Sequence, residues 1–351
     1  MKAGILFARN VLRYDDWPDP ALKPGCVKVR VQACGICGSD VPRVLGEEAH
    51  FYPIILGHEF SGEIVETAGD VTARGVGERV AGVPLLPCML CEDCQRGHYS
   101  ACKRYGFIGS RDQGAFAEYI VIPEANAIPI GPHVSHIQAA LFEPAAVALH
   151  GLLKIGFQGG ADVAILGAGN IGILALQWAR IFGAHRIAVC DISPARLALA
   201  SEMGADAIFN TQDAAFTEQA AAFTGGRGFP YVFETAGQPD TIRLGFDIAA
   251  SHGTFCCIGT PHRDLTFGWK QWEQMNRKQL WVTGSWMSYS APFPGREWSL
   301  CAHYFGNGRL KLHESMIHDV MPLSRIAEAF TLFETPGKVA GKLMIEIGDQ
   351  V

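Results

Sequence analysis

The sequence predicts an α/β protein in two parts: a barrel-like region of short strands, then a doubly wound parallel sheet with helices on both faces. Three observations predict it. Residues 1–150 hold short alternating apolar runs separated by Gly and Pro. From Asp162 onward, short apolar runs alternate instead with helical stretches. The chain is 351 residues long and 48% hydrophobic, which at roughly 150 residues per domain suffices for two sizeable cores.

The elements follow in order. The opening MKAGILFARN reads as a first strand, its apolar run being too short for a signal peptide. Pro24-Gly25 is a turn signal. Beyond it Val27, Val29 and Val31 alternate with Lys28, Arg30 and Gln32, the pattern of a half-buried strand. Further strands are expected at Gly62–Glu66, Arg79–Val83 and Ala117–Ile122. The texture changes near His150. Val163–Leu166 is a predicted strand, Asn170–Phe182 a helix, Ile187–Cys190 a strand, and Pro194–Met203 a helix capped by Ser193 with Pro194 at its first turn. Tyr231–Phe233, Thr254–Ile258 and Leu280–Thr283 continue the rhythm, and the last sixty residues return to a mixed pattern able to rejoin the first part. The aromatic-rich stretch Trp269–Trp286 is read as core, with an interface as the alternative.

Charge and composition exclude several classes. Lys+Arg 29 against Asp+Glu 35 gives −6, with no basic stripe for nucleic acid. The longest uncharged apolar stretch, Val163–Ala179, carries three glycines and falls short of a membrane span. Of eleven cysteines, four crowd into fifteen positions; with no export signal the expected compartment is the reducing cytosol, and the cluster points to metal rather than disulfides. Cys26, Cys34, Cys190, Cys256, Cys257 and Cys301 are read as small buried hydrophobes.

Gly167-Ala168-Gly169-Asn170-Ile171-Gly172 fits G-x-G-x-x-G between a predicted strand and a predicted helix. Glycines there permit a tight turn and close approach to a pyrophosphate, and the helix N-terminus offers free N–H groups to the phosphates. Asp191, nineteen residues past Gly172, is placed to accept from ribose hydroxyls and to repel a 2′-phosphate, so NAD is expected over NADP. Arg196 is the residue that softens this preference.

Cys88, Cys91, Cys94 and Cys102 follow C-x2-C-x2-C-x7-C among turn formers. Four thiolates complete a closed tetrahedral zinc shell that holds a loop without catalysing; an iron–sulfur cluster is the rival occupant. A second constellation joins Cys37, in CGICGSD, to His58, in GHE. A catalytic zinc needs a third ligand, and the residues alone leave Glu59, Glu143 and another Cys or His open.

These motifs in this order resemble the zinc-containing medium-chain dehydrogenases over nearly the whole chain. The longer segments AHFYP, LGHEFSG, VPLLPC, GFIGSRDQGAFAE and GSWMSYSAPFPGREW are similar to polyol-phosphate members of that family. The resemblance implies a GroES-like β-barrel catalytic domain over 1–150 and 286–351, with a zinc lobe at 88–102, and a Rossmann NAD-binding domain over 151–285. It implies Cys37, His58 and Glu143 as catalytic zinc ligands, Glu59 behind the metal, and Ser39 as the hydroxyl passing the substrate proton outward. Pro42 departs from liver-type alcohol dehydrogenases, which place a histidine there to end the relay. Arg43, with His50 and Arg111, is the candidate contact for a substrate phosphate. The implied reaction is hydride transfer from a secondary alcohol of a polyol phosphate to NAD, with two zinc ions per chain and a homodimer or homotetramer, commonly joined through edge strands of the cofactor domain. An unphosphorylated polyol of the sorbitol or xylitol type, or threonine, is the alternative substrate. A zinc-ribbon interaction module is the reading from another class, opposed by the acidic charge and the glycine motif.

Overall fold

The computed structural model describes residues 1–335 and 337–348. The chain forms two compact units, Met1–Glu143 with Tyr289–Val351, and Pro144–Ser288.

The first unit is built on the valine strand. Cys26–Gly35 turns Val27, Val29 and Val31 fully inward and pairs antiparallel with Glu59–Thr67 and Tyr119–Pro123. Alternation therefore did here what a one-sided strand requires: every second side chain enters the core. The same sheet continues through Arg79–Gly82 to Ala127–Pro129 on one side and through Lys342–Glu346 to Ile317–Pro322 on the other. The C-terminal stretch thus returns to the first unit. One apolar core, from Ile5 through Phe60 and Phe116 to Phe330 and Ile345, fills the barrel. Because Gly35 pairs with Glu59, the strand ends that lead into Cys37 and out of His58 lie side by side.

The second unit is a six-stranded, all-parallel sheet in the order Ala207–Asn210, Arg186–Asp191, Asp162–Leu166, Phe229–Glu234, Ala249–Cys257, Trp281–Gly284. The central strands read as near-continuous apolar runs, as burial on both faces demands. Asn170–Ile181 and Pro194–Glu202 are helical as expected, and the Ser193 side chain accepts from the Arg196 N–H at 3.5 Å. The edge strand Ala207–Asn210 has no counterpart in the sequence reading; at four residues it is too short to show periodicity.

Two expectations need correction. Trp269, Trp272, Trp281 and Trp286 are exposed, not core, the first and third by 72% and 75%. Cys26 and Cys257 are only half-buried, whereas Cys34, Cys190, Cys256 and Cys301 are buried.

Candidate metal and dinucleotide sites

Cys37 follows the last residues of the valine strand, and His58 precedes the strand it pairs with. Gly57 makes this approach possible. Its φ is +90°, and a Cβ there would lie 2.9 Å from both the Cys34 sulfur and the Phe116 ring. One ligand atom each from Cys37, His58 and Glu59 falls within 4.8 Å of the others. The imidazole is buried, its ring edge-on to Phe107 at 5.5 Å between centroids.

The surroundings are polar and tightly bonded. Asp40 is fully buried; its Oδ2 accepts from the Cys37 N–H at 3.1 Å and its Oδ1 lies 3.4 Å from His58 Nδ1. Ser39 Oγ donates to Cys37 Sγ at 3.3 Å. Lys342 Nζ donates to Glu59 Oε1 at 2.7 Å and to the Ile36 carbonyl at 3.2 Å. Burial opposes a charge on His58, but Asp40 and Cys37 outweigh it and hold its pKa well above the ordinary value. Glu59 Oε2, His58 Nδ1 and Asp40 Oδ1 are buried without a hydrogen-bond partner. A soft thiolate, an imidazole and carboxylates with orphaned buried atoms form a donor set suited to Zn²⁺.

The expected trio of Cys37, His58 and Glu143 is not the trio that converges. Glu143, half-buried in the first turn of the helix Phe142–Lys154, is outside the group, and Glu59 takes the third place. Desolvation pushes the Glu143 pKa up to about 7; His58 counters this, and the negative charge of Glu59 adds to it.

Arg43 is not open to solvent as a phosphate contact would be. Its Nη1 donates to the Ser39 carbonyl at 2.6 Å and to Ser39 Oγ at 3.0 Å. Arg111 is exposed, its guanidinium 4.5 Å from the centre of the Tyr105 ring, and it sits on the turn after Phe107, the ring beside His58. His50 is exposed, and its pKa is lowered by burial and then by Arg111 and Arg43. Sequence reasoning gave Asp40 and Lys342 no role. Asp40 was readable, standing three residues after Cys37 where a carboxylate often orients a ligating histidine; Lys342 comes from the far end of the chain and carried no local signal.

In the lobe, the sulfurs of Cys88, Cys91, Cys94 and Cys102 lie within 4.8 Å of one another. Backbone N–H groups of Leu90 and Cys91 bring the Cys88 pKa down to about 6, the protonation state a metal thiolate needs, while burial takes Cys94 up to about 12. The converged sulfurs fit a closed four-thiolate zinc shell.

In the second unit, Gly167 has φ +100° and ends its strand. A Cβ on Gly172 would collide with the Gly167 carbonyl oxygen, whereas at Gly169, the helix N-cap, the space is open. Asn170 and Ile171 begin the helix. Asp191 is buried at the next strand end, accepting from the Ala168 N–H at 2.7 Å and the Ser193 N–H at 2.8 Å. Arg196 is exposed in the following helix. An open cradle at a helix N-terminus with a carboxylate beside it fits a dinucleotide.

Comparison with known proteins agrees. Residues 23–132 match the alcohol dehydrogenase GroES-like domain and residues 170–302 the zinc-binding dehydrogenase family. The chain is 40% identical to galactitol 1-phosphate 5-dehydrogenase of Escherichia coli K12 over 91% of its length and 92% of the relative's. To sorbitol dehydrogenase of Bacillus subtilis it is 33% identical, over 75% of its length and 76% of that protein's. The crystal structure of the Escherichia coli galactitol-1-phosphate dehydrogenase superposes with a TM-score of 0.93 at 36% identity, covering 99% of this chain and 100% of that one. The GroES-like barrel, the parallel cofactor sheet and these matches place one conclusion beyond the motifs: the chain belongs to the zinc-containing medium-chain dehydrogenases and is an enzyme of that family.

Proposed function

We propose that the protein oxidises a secondary alcohol of a polyol phosphate with NAD, galactitol 1-phosphate to tagatose 6-phosphate being the first substrate to test. The observation that carries the reading is the meeting of Cys37 and His58 with buried carboxylates, beside a hydroxyl already bonded to the thiol. The choice of substrate rests on the 40% identity to a galactitol 1-phosphate 5-dehydrogenase.

Cys37, His58 and Glu143 would hold the catalytic zinc. Glu59 converges in the described arrangement with its Oε2 unpartnered, but its Oε1 is paired with Lys342, whose charge already answers much of the carboxylate's. No ion pair claims the Glu143 carboxylate among the described residues, so it is free to turn inward. Zinc, when bound, supplies the Lewis acidity that brings an alcohol hydroxyl toward ionisation near neutral pH. Ser39 Oγ has a lone pair left to accept a hydrogen bond from the substrate hydroxyl and so orient it, and Asp40 keeps the His58 ring oriented. Cys88, Cys91, Cys94 and Cys102 would hold a second zinc that fixes the lobe.

Asp191 favours NAD, since a 2′-phosphate would meet its carboxylate. Arg111, exposed and free of carboxylate partners among the described residues, is the cation for a substrate phosphate, with the exposed His50 imidazole as a neutral donor beside it. The exposed tryptophans around the edge strand Trp281–Gly284 support a homodimer or homotetramer. NAD reduction with galactitol 1-phosphate, galactitol, sorbitol and threonine tests the function. Highest kcat/KM on galactitol 1-phosphate is expected; preference for sorbitol or threonine would reject the phosphate.

A further inference from the structure

We propose that Arg43 is a positioning residue that locks the metal-binding loop and the Ser39 hydroxyl together, and that it does not receive a substrate phosphate. This rests on the dehydrogenase reading of the Cys37 and His58 site. Arg43 lies in the short helix Val41–Leu45, directly after the CGSD turn. Its side chain is 17% exposed, and its Nε is buried without a partner. A single nitrogen, Nη1, donates to the Ser39 carbonyl at 2.6 Å and to Ser39 Oγ at 3.0 Å, and stands 3.6 Å from Asp40 Oδ1.

Each of those partners touches a candidate metal ligand. Ser39 Oγ donates to Cys37 Sγ at 3.3 Å; Asp40 accepts from the Cys37 N–H at 3.1 Å and faces His58 Nδ1 at 3.4 Å. One guanidinium therefore reaches the thiol and the imidazole through one intermediary apiece. Its positive charge offsets the buried Asp40 carboxylate, whose other neighbours are the Cys37 N–H and the His58 imidazole. By occupying one Ser39 lone pair, it turns the hydroxyl hydrogen onto the sulfur and leaves the other lone pair for substrate.

The guanidinium has five donors and no acceptor, so it conducts no proton. With proline at position 42, neither side chain continues a relay outward from Ser39.

The test compares Arg43→Ala and Arg43→Lys with the zinc-loaded wild type. Three readouts are taken: zinc release to a chromophoric chelator, the thiolate–cobalt absorption band after cobalt substitution, and kinetics on galactitol 1-phosphate and galactitol. The Ala variant is expected to bind the catalytic zinc about 10- to 100-fold more weakly, with a shifted cobalt band. Its kcat falls by a similar factor on both polyols, their KM ratio stays within about twofold, and added ethylguanidinium restores part of kcat. The Lys variant, which keeps the charge, falls between. A rise in KM confined to the phosphorylated substrate, with wild-type zinc retention and cobalt band, overturns the proposal. Zinc retained by the four-cysteine lobe in every variant reports that the fold is intact. If wild type itself binds no ion at Cys37 and His58, the dehydrogenase reading fails, and the proposal with it.

Discussion

Asp40 illustrates how one side chain governs chemistry it does not perform. A carboxylate with no solvent exposure survives only where its charge is answered, and here an amide, an imidazole and a guanidinium surround it. Asp40→Asn is therefore expected to lower catalytic zinc affinity about 10- to 100-fold while leaving the lobe's zinc in place, read by competition with a chelator. The two glutamates are separable in the same assay. Glu143→Gln should lose the catalytic zinc. Glu59→Gln should retain it, because the Glu59 charge is already answered by Lys342, 2.7 Å from its Oε1. The reverse order would make Glu59 the ligand.

At the level of elements, the glycine loop and the helix His136–Ala140 carry distinct predictions. Gly172→Ala puts a methyl against the Gly167 carbonyl. Backbone cannot yield as a flexible side chain does, so a loss of about 1–3 kcal/mol and a large rise in KM for NAD are expected from unfolding and kinetic measurements. The helix opens with a capping box, Ser135 and Gln138 exchanging backbone bonds. Its first residue, His136, accepts from Arg79 Nε through Nε2 at 3.4 Å, which leaves the proton on Nδ1, facing Ser61 Oγ at 3.2 Å. Burial, then Arg79, lowers its pKa to about 4. Unfolded, the ring takes a proton near pH 6.5; folded, it resists until about 4, so the unfolded chain binds more protons in that window. Stability present above pH 6.5 should drain as pH falls toward 4, by about 2 kcal/mol after allowance for solvent screening. Urea unfolding of His136→Gln against wild type at pH 5 and pH 7.5 checks it: the wild type should lose more, and equal losses would discount His136.

For the whole molecule, metal content and assembly are the quantities to measure. Elemental analysis is expected to return two zinc ions per chain, falling to one in Cys37→Ser and to one in Cys91→Ser, the latter with lowered thermal stability because the lobe loses its staple. The strand Trp281–Gly284 ends the parallel sheet, its outer edge unpaired among the described residues and its Trp281 75% exposed. Unpaired edges and apolar patches favour association. Trp281→Glu should shift the sedimenting species toward monomer; an unchanged distribution would locate the interface elsewhere.

Patterns confined to a few neighbouring residues are readable in the sequence itself. The Val27, Val29, Val31 alternation, the glycine loop between strand and helix, and the spacing of the four lobe cysteines are local, because pleat, turn and short-loop chelation act over short distances. Strand ends were less legible: Tyr119–Pro123 starts two residues after the expected Ala117, where neighbouring strands rather than propensity set the limit. What local pattern could not supply was the company each charge keeps. Lys342 reaches Glu59 across 283 residues, Arg43 turns to Ser39 instead of outward, and Glu59 rather than Glu143 joins Cys37 and His58. Coulomb and desolvation energies depend on distance through space, and only the folded chain decides which buried charges meet.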